Sequence, residues 1–312
     1  MRSTWLVLAA AGVGLALPRP ADACSALPCW PGAFVPGDQG RVPANVHGLY
    51  WRPMTGLVSD SKPENVILED VAAPGAMLAL TAQPLANGDY LLVPSAPLVD
   101  GKTYRLTDRT TCMIGDAKGP QVTFAVGPAA TPPVSLGTLS AAAPAVVQME
   151  LATTTGSCSA KATVAQSAIE LDASPSATAW LDVLHFETRV DGKPWHYQST
   201  IRAMTPPGES ARGRARDLVF EVCSTQDSGV GEGLTAGVHT VTMQATLPGT
   251  SDVVTSTELT VSLDCNQVEH MPETGGCNAG GPGAAAGAAM ALLALARSVR
   301  PRGRAGSAHR RR

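Results

Sequence analysis

Aromatic residues are scarce in this sequence: Phe, Trp and Tyr make up 4% of its 312 positions. Charged residues are also few, at 16%. A chain poor in Lys and Glu but rich in Val, Thr, Leu, Gly and Pro disfavours long helices and favours strands joined by turns. No Gly-x-Ser-x-Gly elbow is present, which removes the commonest hydrolase nucleophile motif. No paired Cys-x-x-Cys motif or Cys/His cluster is present, so no zinc site is expected. Basic residues are outnumbered in the body of the chain. Residues 24–296 hold 14 Lys and Arg against 25 Asp and Glu. A body this acidic repels phosphate backbones and excludes nucleic acid as a partner.

What is present is concentrated first at the two ends. Residues 1–23 read as a signal peptide, with Arg2, an apolar run from Trp5 to Leu17, and a small-x-small site ending at Ala23. Cleavage after Ala23 leaves Cys24 first. Ala21 and Asp22 fit a lipoprotein signal poorly, so Cys24 is open to a disulfide or to lipid attachment. The other end has three parts: a flexible region over 267–281, an apolar segment over 282–296, and an Arg-rich tail over 297–312. The apolar segment is short for a spanning helix, which needs about 20 residues. Its seven following arginines would stay cytoplasmic.

Gly276-Cys277, the Ala/Gly/Leu run and the terminal arginines resemble the myxobacterial C-terminal sorting domain. That resemblance implies cleavage near Cys277 by a sorting protease, lipid attachment to it, and display at the outer membrane or cell surface. Met271-Pro272-Glu273-Thr274-Gly275 is also similar to the sortase signal, with Met in place of Leu. A sortase would cut between Thr274 and Gly275. The myxobacterial reading is preferred because Cys277 has no role in a sortase signal. A plain C-terminal membrane anchor is the third alternative.

Between the ends, Gly127–Val134 breaks the pattern with three prolines and divides the body. Residues 24–127 form one expected β-sandwich, 128–134 a stiff Pro-rich linker, and 135–266 a second sandwich. In the first, Val66–Val71, Met77–Leu85, Asp89–Ser95, Lys102–Asp108 and Gln121–Val126 read as strands. Asn87-Gly88 reads as a two-residue hairpin turn. In the second, strands are expected at Cys158–Gln166, Leu181–Val190, Trp195–Ile201, Asp217–Ser224, Val238–Leu247 and Val253–Leu263. Asp191-Gly192 supplies a hairpin turn there. Val42-Pro43-Ala44-Asn45 and Leu98-Val99-Asp100-Gly101-Lys102-Thr103-Tyr104 resemble elements of the Big_5-type bacterial Ig-like domains. That resemblance spans about residues 36–126 and implies a scaffold or binding module without catalytic residues.

Besides Cys277, six cysteines remain, and six allow 15 connectivities. The pairs preferred are Cys29 with Cys112 and Cys223 with Cys265, leaving Cys24 and Cys158 open. His185, His196 and His239 fall on expected strands and are candidate bases or, for the first two, a metal pair across the hairpin. A half-exposed strand histidine is the plainer reading. Trp30, Trp51, Trp180 and Trp195 are either core or sugar-stacking platforms. Arg212, Arg214 and Arg216 punctuate a loop that is either solvated or an anion patch. The expectation is an all-β protein of two tandem Ig-like β-sandwiches, with an N-terminal signal peptide and a C-terminal membrane/sorting helix. It is expected to be exported, surface-anchored and non-catalytic, without cofactor or metal, and to meet an unknown extracellular ligand. The competing classes are an enzyme or a carbohydrate-binding module on a sandwich scaffold.

Overall fold

The computed structural model describes residues 29–85, 88–114, 116–152, 159–196, 206–210, 212–225 and 233–266. These residues belong to one compact unit and are almost entirely strand and turn. The first eleven strands lie between Cys29 and Gly127. They are β1 (Cys29–Trp30), β2 (Ala33–Val35), β3 (Arg41–Pro43), β4 (Leu49–Arg52), β5 (Thr55–Gly56) and β6 (Val66–Asp70). There follow β7 (Met77–Leu78), β8 (Leu80–Pro84), β9 (Tyr90–Pro94), β10 (Thr103–Asp108) and β11 (Gln121–Gly127).

One sheet runs β3-β11-β10-β6-β7 and a second runs β2-β4-β9-β8. All pairings are antiparallel except β3 with β11. Alternation sets the faces. In β10, Tyr104 and Leu106 are buried while Arg105 and Thr107 are not. These inward residues join Leu68, Val122 and Phe124 from their own sheet and Phe34, Leu49, Trp51 and Leu92 from the other in one cluster. The expected single strand Met77–Leu85 is in fact two. Leu78 pairs with Leu68 in the first sheet, and Leu80 pairs with Pro94 in the second. The chain changes sheets at Ala79, whose carbonyl accepts from Ser95 N.

The remaining elements are β12 (Gly137–Ala141), β13 (Ala145–Ala152), β14 (Ser159–Ala173), a helical turn α1 (Pro175–Thr178), β15 (His185–Val190) and β16 (Lys193–Pro194). They end with β17 (Arg216–Thr225), β18 (Gly237–Thr246), β19 (Val253–Thr255) and β20 (Leu259–Leu263). Two sheets form again. Each has a long strand, β14 or β18, whose neighbour on one side is broken in two. Along β14 that neighbour is β12 then β13, and along β18 it is β19 then β20. Each break carries one residue more than the strand it faces, which makes it a bulge. Serines absorb the loose backbone groups. Ser167 Oγ donates to Ala142 O at 2.7 Å, and Ser256 Oγ accepts from Met243 N at 3.0 Å. The expected unbroken strand Val253–Leu263 is thus corrected to two strands around Ser256.

Two other expected strands differ from the structure. Residues 181–184 are turn rather than strand. Ser174 caps Pro175–Thr178, and successive turns continue through Trp180, Val183 and Leu184, all buried. After the Asp191-Gly192 turn, where both residues have positive φ, β16 stops at Pro194. Proline has no N–H to donate to a ladder. Trp195 and His196 are not in a strand, and residues 197–201 lie outside the described residues. So does Asn87.

The Pro-rich segment is held from both sides. Asn45 Nδ2 donates to Ala130 O and its Oδ1 accepts from Ala130 N, each at 2.9 Å. Trp180 Nε1 donates to Thr131 O at 3.0 Å. Arg41 N donates to Asp182 Oδ2 at 2.7 Å. Buried side chains from Phe34 to Leu263 form one continuous cluster, with Leu136, Trp180 and Val183 at the junction. Two disulfides close the body: Cys29–Cys112 and Cys223–Cys265, with Cα separations of 6.0 and 5.5 Å. No helix among the described residues is long and apolar enough to cross a membrane.

Candidate functional site: a polar cavity beside His185

The start of β15, the start of β17 and residues 206–210 and 213–215 between them enclose a cavity of about 160 Å³. Arg52, His185, Glu187, Trp195, His196, Glu209, Asp217 and Met243 contribute to its wall. His185 opens β15 and packs on Tyr50, with ring centroids 5.3 Å apart. Gly208 lies against its other side. A Cβ there would sit 2.4 Å from the imidazole Cγ, and the backbone φ of +68° also favours glycine. Burial is the main reason that the His185 pKa falls below the ordinary histidine value, with Arg214 and Arg52 adding to it. Its imidazole is therefore neutral at pH 7. Beyond His185 a broader groove of about 560 Å³ is lined by Tyr50, Gln83, Leu91, Thr246 and Thr250. Burial pushes the Tyr50 phenol up to about 12, so it stays protonated.

The arginine loop is not uniformly solvated. Arg214 is mostly buried, and its guanidinium meets Glu209 Oε1 at 2.7 Å. It also donates to the carbonyls of Leu181 and Leu184 and lies over the Phe186 ring. This arginine ties the loop to the turns before β15. Arg216 is exposed and faces Glu170 at 3.7 Å, and Arg212 is exposed.

Asp217 is the second residue of β17, on the same face as the buried Val219, and is only 4% exposed. Leu218 N donates to its Oδ1 at 2.7 Å, and the Thr188 hydroxyl on β15 bonds the carboxyl across the sheets. Burial pushes its pKa up to about 6, and these two hydrogen bonds offset only part of that rise. A carboxyl whose folded pKa lies above its unfolded value of about 3.9 favours folding when protonated. Its ionisation therefore costs stability as pH rises from about 4 through 6. The shift corresponds to up to about 3 kcal/mol at pH 7. Asp217→Asn is expected to be more stable than wild type in urea at pH 7 and to lose that advantage by pH 4. Equal stabilities at pH 7 would contradict the burial argument.

His239 occupies a core-facing position of β18 but is fully engaged. Its Nδ1 lies 2.8 Å from Asp191 Oδ2 and its Nε2 lies 2.8 Å from Thr235 O. Burial alone would lower its pKa, but these two bonds, with the negative charges of Asp191 and Glu221, outweigh burial and raise it. The residue clamps the hairpin turn at Asp191. His185 and His196 line the same cavity, and His239 is apart from them. Among the described residues, no hydroxyl or thiol is hydrogen-bonded to His185 or His239. No three His, Cys, Asp or Glu side chains among the described residues gather as a metal site.

Trp51 and Trp180 are core residues, the former donating to Asp108 and the latter to Thr131. Trp195 is half-buried at the cavity wall, with its indole N–H on Leu218 O at 2.9 Å. Trp30 is half-buried in β1. Sequence reasoning misses Asp217 and the inward role of Arg214. An acidic residue directly before the apolar run Leu218-Val219-Phe220 is the available signal for the first. Ala23, Cys24, Thr274, Gly275, Gly276 and Cys277 lie outside the described residues.

No family model matches this chain, and no curated protein matches it. Among solved structures it is similar to the N-terminal part of the bacterial S-layer protein SbsC, at 12% identity and a TM-score of 0.23. It is also similar to domains 1–6 of surface layer protein SbsC, at 14% and 0.22. The alignments cover 74% of this chain in both cases, and 44% and 26% of those chains. The tandem Ig repeats of Dlar align at 10% identity and a TM-score of 0.20, over 74% of this chain and 97% of that one. The chain thus spans less than half the length of the S-layer structures it is compared with.

Proposed function

We propose that this is an exported, surface-anchored protein of two tandem Ig-like β-sandwiches with a structural, adhesive or ligand-binding role and no catalysis. The observation that carries the reading is the pair of disulfides in an all-β body. Such bridges form and persist where the surroundings are oxidising, outside the cytoplasm. The signal-like residues 1–23 and the Cys277, apolar and arginine segments supply a route out and an anchor. The satisfied bonds of His239 and the packing of His185 support binding or scaffolding over general-base chemistry.

Mass spectrometry of the C-terminal peptide from the producing cell's envelope tests the reading. A peptide ending at or near a lipid-modified Cys277 is expected. A peptide ending at Thr274 and joined to wall material would replace this anchor with a sortase product. An unprocessed tail reaching Arg312 would overturn both processing routes and leave a plain membrane anchor.

A further inference from the structure

The cavity beside His185 has an uneven charge balance. Arg52 pairs with Asp89 at 2.9 Å, Glu187 with Arg189 at 2.8 Å, and Glu209 with Arg214 at 2.7 Å. Arg216 faces Glu170. The imidazole of His185 is neutral. Asp217 is the exception among the described carboxylates of the wall. Its partners are a hydroxyl and a backbone N–H, and among the described residues no cation pairs with it. A buried carboxylate without a positive partner is costly, and a cation bound beside it removes that cost. The space next to it is of the size that accepts a benzene-sized group. Phe186 and Met243 add apolar wall.

We propose that this cavity binds an alkylammonium group, with the nitrogen on the Asp217 carboxylate and the carbon chain against Met243 and Phe186. The group is either a free small amine or the lysine side chain of a partner protein. Both present the same ammonium on a short apolar stem. A compact three-donor head matches a carboxylate in the wall, and the stem fits the apolar side chains beside it. The arginines of the wall are already engaged by carboxylates, so an anionic ligand finds less to hold it. The site does not depend on how the chain is anchored, and either reading can fail while the other stands.

Calorimetry on the full chain with n-pentylamine at pH 7.5 is the test, with n-pentanol as the neutral control. Saturable binding of the amine and none of the alcohol is expected. Asp217→Asn, which keeps a partner for the Thr188 hydroxyl, is expected to weaken binding roughly tenfold or more. Binding by wild type is also expected to weaken towards pH 5, as the carboxyl takes up its proton. Other titratable or charged groups in the wall are His185, His196, Glu187, Glu209, Arg52 and Arg216, and Arg214 lies near His185. Charging of the histidines would oppose a cation too, so the comparison of wild type with Asp217→Asn at pH 7.5, where the histidines are neutral, decides. The assignment falls if wild type binds neither amine nor lysine peptide, or if folded Asp217→Asn binds as tightly as wild type. A peptide with an exposed lysine, compared with its acetyl-lysine form, separates the two sources. Binding of the peptide identifies a partner lysine, and binding of n-pentylamine alone identifies a free amine.

Discussion

Replacing Cys29 and Cys112 together with alanine is expected to lower the unfolding free energy by about 4.5 kcal/mol. The bridge closes 83 residues of sequence separation, and cross-linking a loop that long removes much of the unfolded chain's freedom. Replacing Cys223 and Cys265, which are 42 residues apart, should cost about 0.6 kcal/mol less. Alanine is the suitable replacement because Cys29 and Cys112 are buried beside Met54 and Val58. Urea unfolding of the two double variants under identical conditions checks both the size and the order. A loss under about 1 kcal/mol for the first pair would mean that the bridge does not act through chain entropy.

Trp180→Ala is expected to cost about 3–5 kcal/mol. The indole is 2% exposed and sits where the buried cluster passes from one half of the body to the other. Its truncation leaves a large void and also frees Thr131 O, which loses its indole donor. Trp180→Phe keeps much of the volume but not the N–H. It should cost much less, with about 1 kcal/mol from the hydrogen bond. Both costs are read from the urea midpoint at unchanged denaturant dependence. A loss near zero for Trp180→Ala would sink the account of a core continuous across the junction.

Strands with clean alternation are legible in the amino-acid letters alone. Val66–Asp70, Thr103–Asp108 and Gly237–Thr246 bury every second side chain, and that period is visible in their residue types. The Asp191-Gly192 turn is legible because few residue pairs accept two positive φ values. The strands between Cys29 and Gly56 are not, since two to four residues carry no period. They exist through pairing with neighbours distant in sequence. Ser159–Ala173 is readable only in its first half, because Ala and Ser give a weak apolar signal even where the strand is central. Breaks at Ala79 and Ser256 are invisible for another reason. A change of sheet or a bulge alters which partner the backbone meets, not the local alternation.

The cavity is the least legible feature. Its wall draws on Arg52, His185, Trp195 and Asp217, which are far apart in the chain. Asp217 reads as the head of a strand, and its burial follows from Thr188 standing on the facing sheet. Arg214 reads as a loop cation, and only the turns at Leu181 and Leu184 give it carbonyls to bind.

The two bridges have a mechanical consequence for a chain pulled by its ends. Tension applied at Cys29 passes through sulfur to Cys112 and skips everything between them. At the other end it passes from Cys265 to Cys223 in the same way. Only the stretch of roughly 110 residues from Cys112 to Cys223 can extend, at roughly 3.5 Å per residue. Strands β1 to β10 sit inside the closed loop off the load path, while β11, which pairs with β3 and β10, lies on the loaded stretch and is the strand of the first half that a pull draws out.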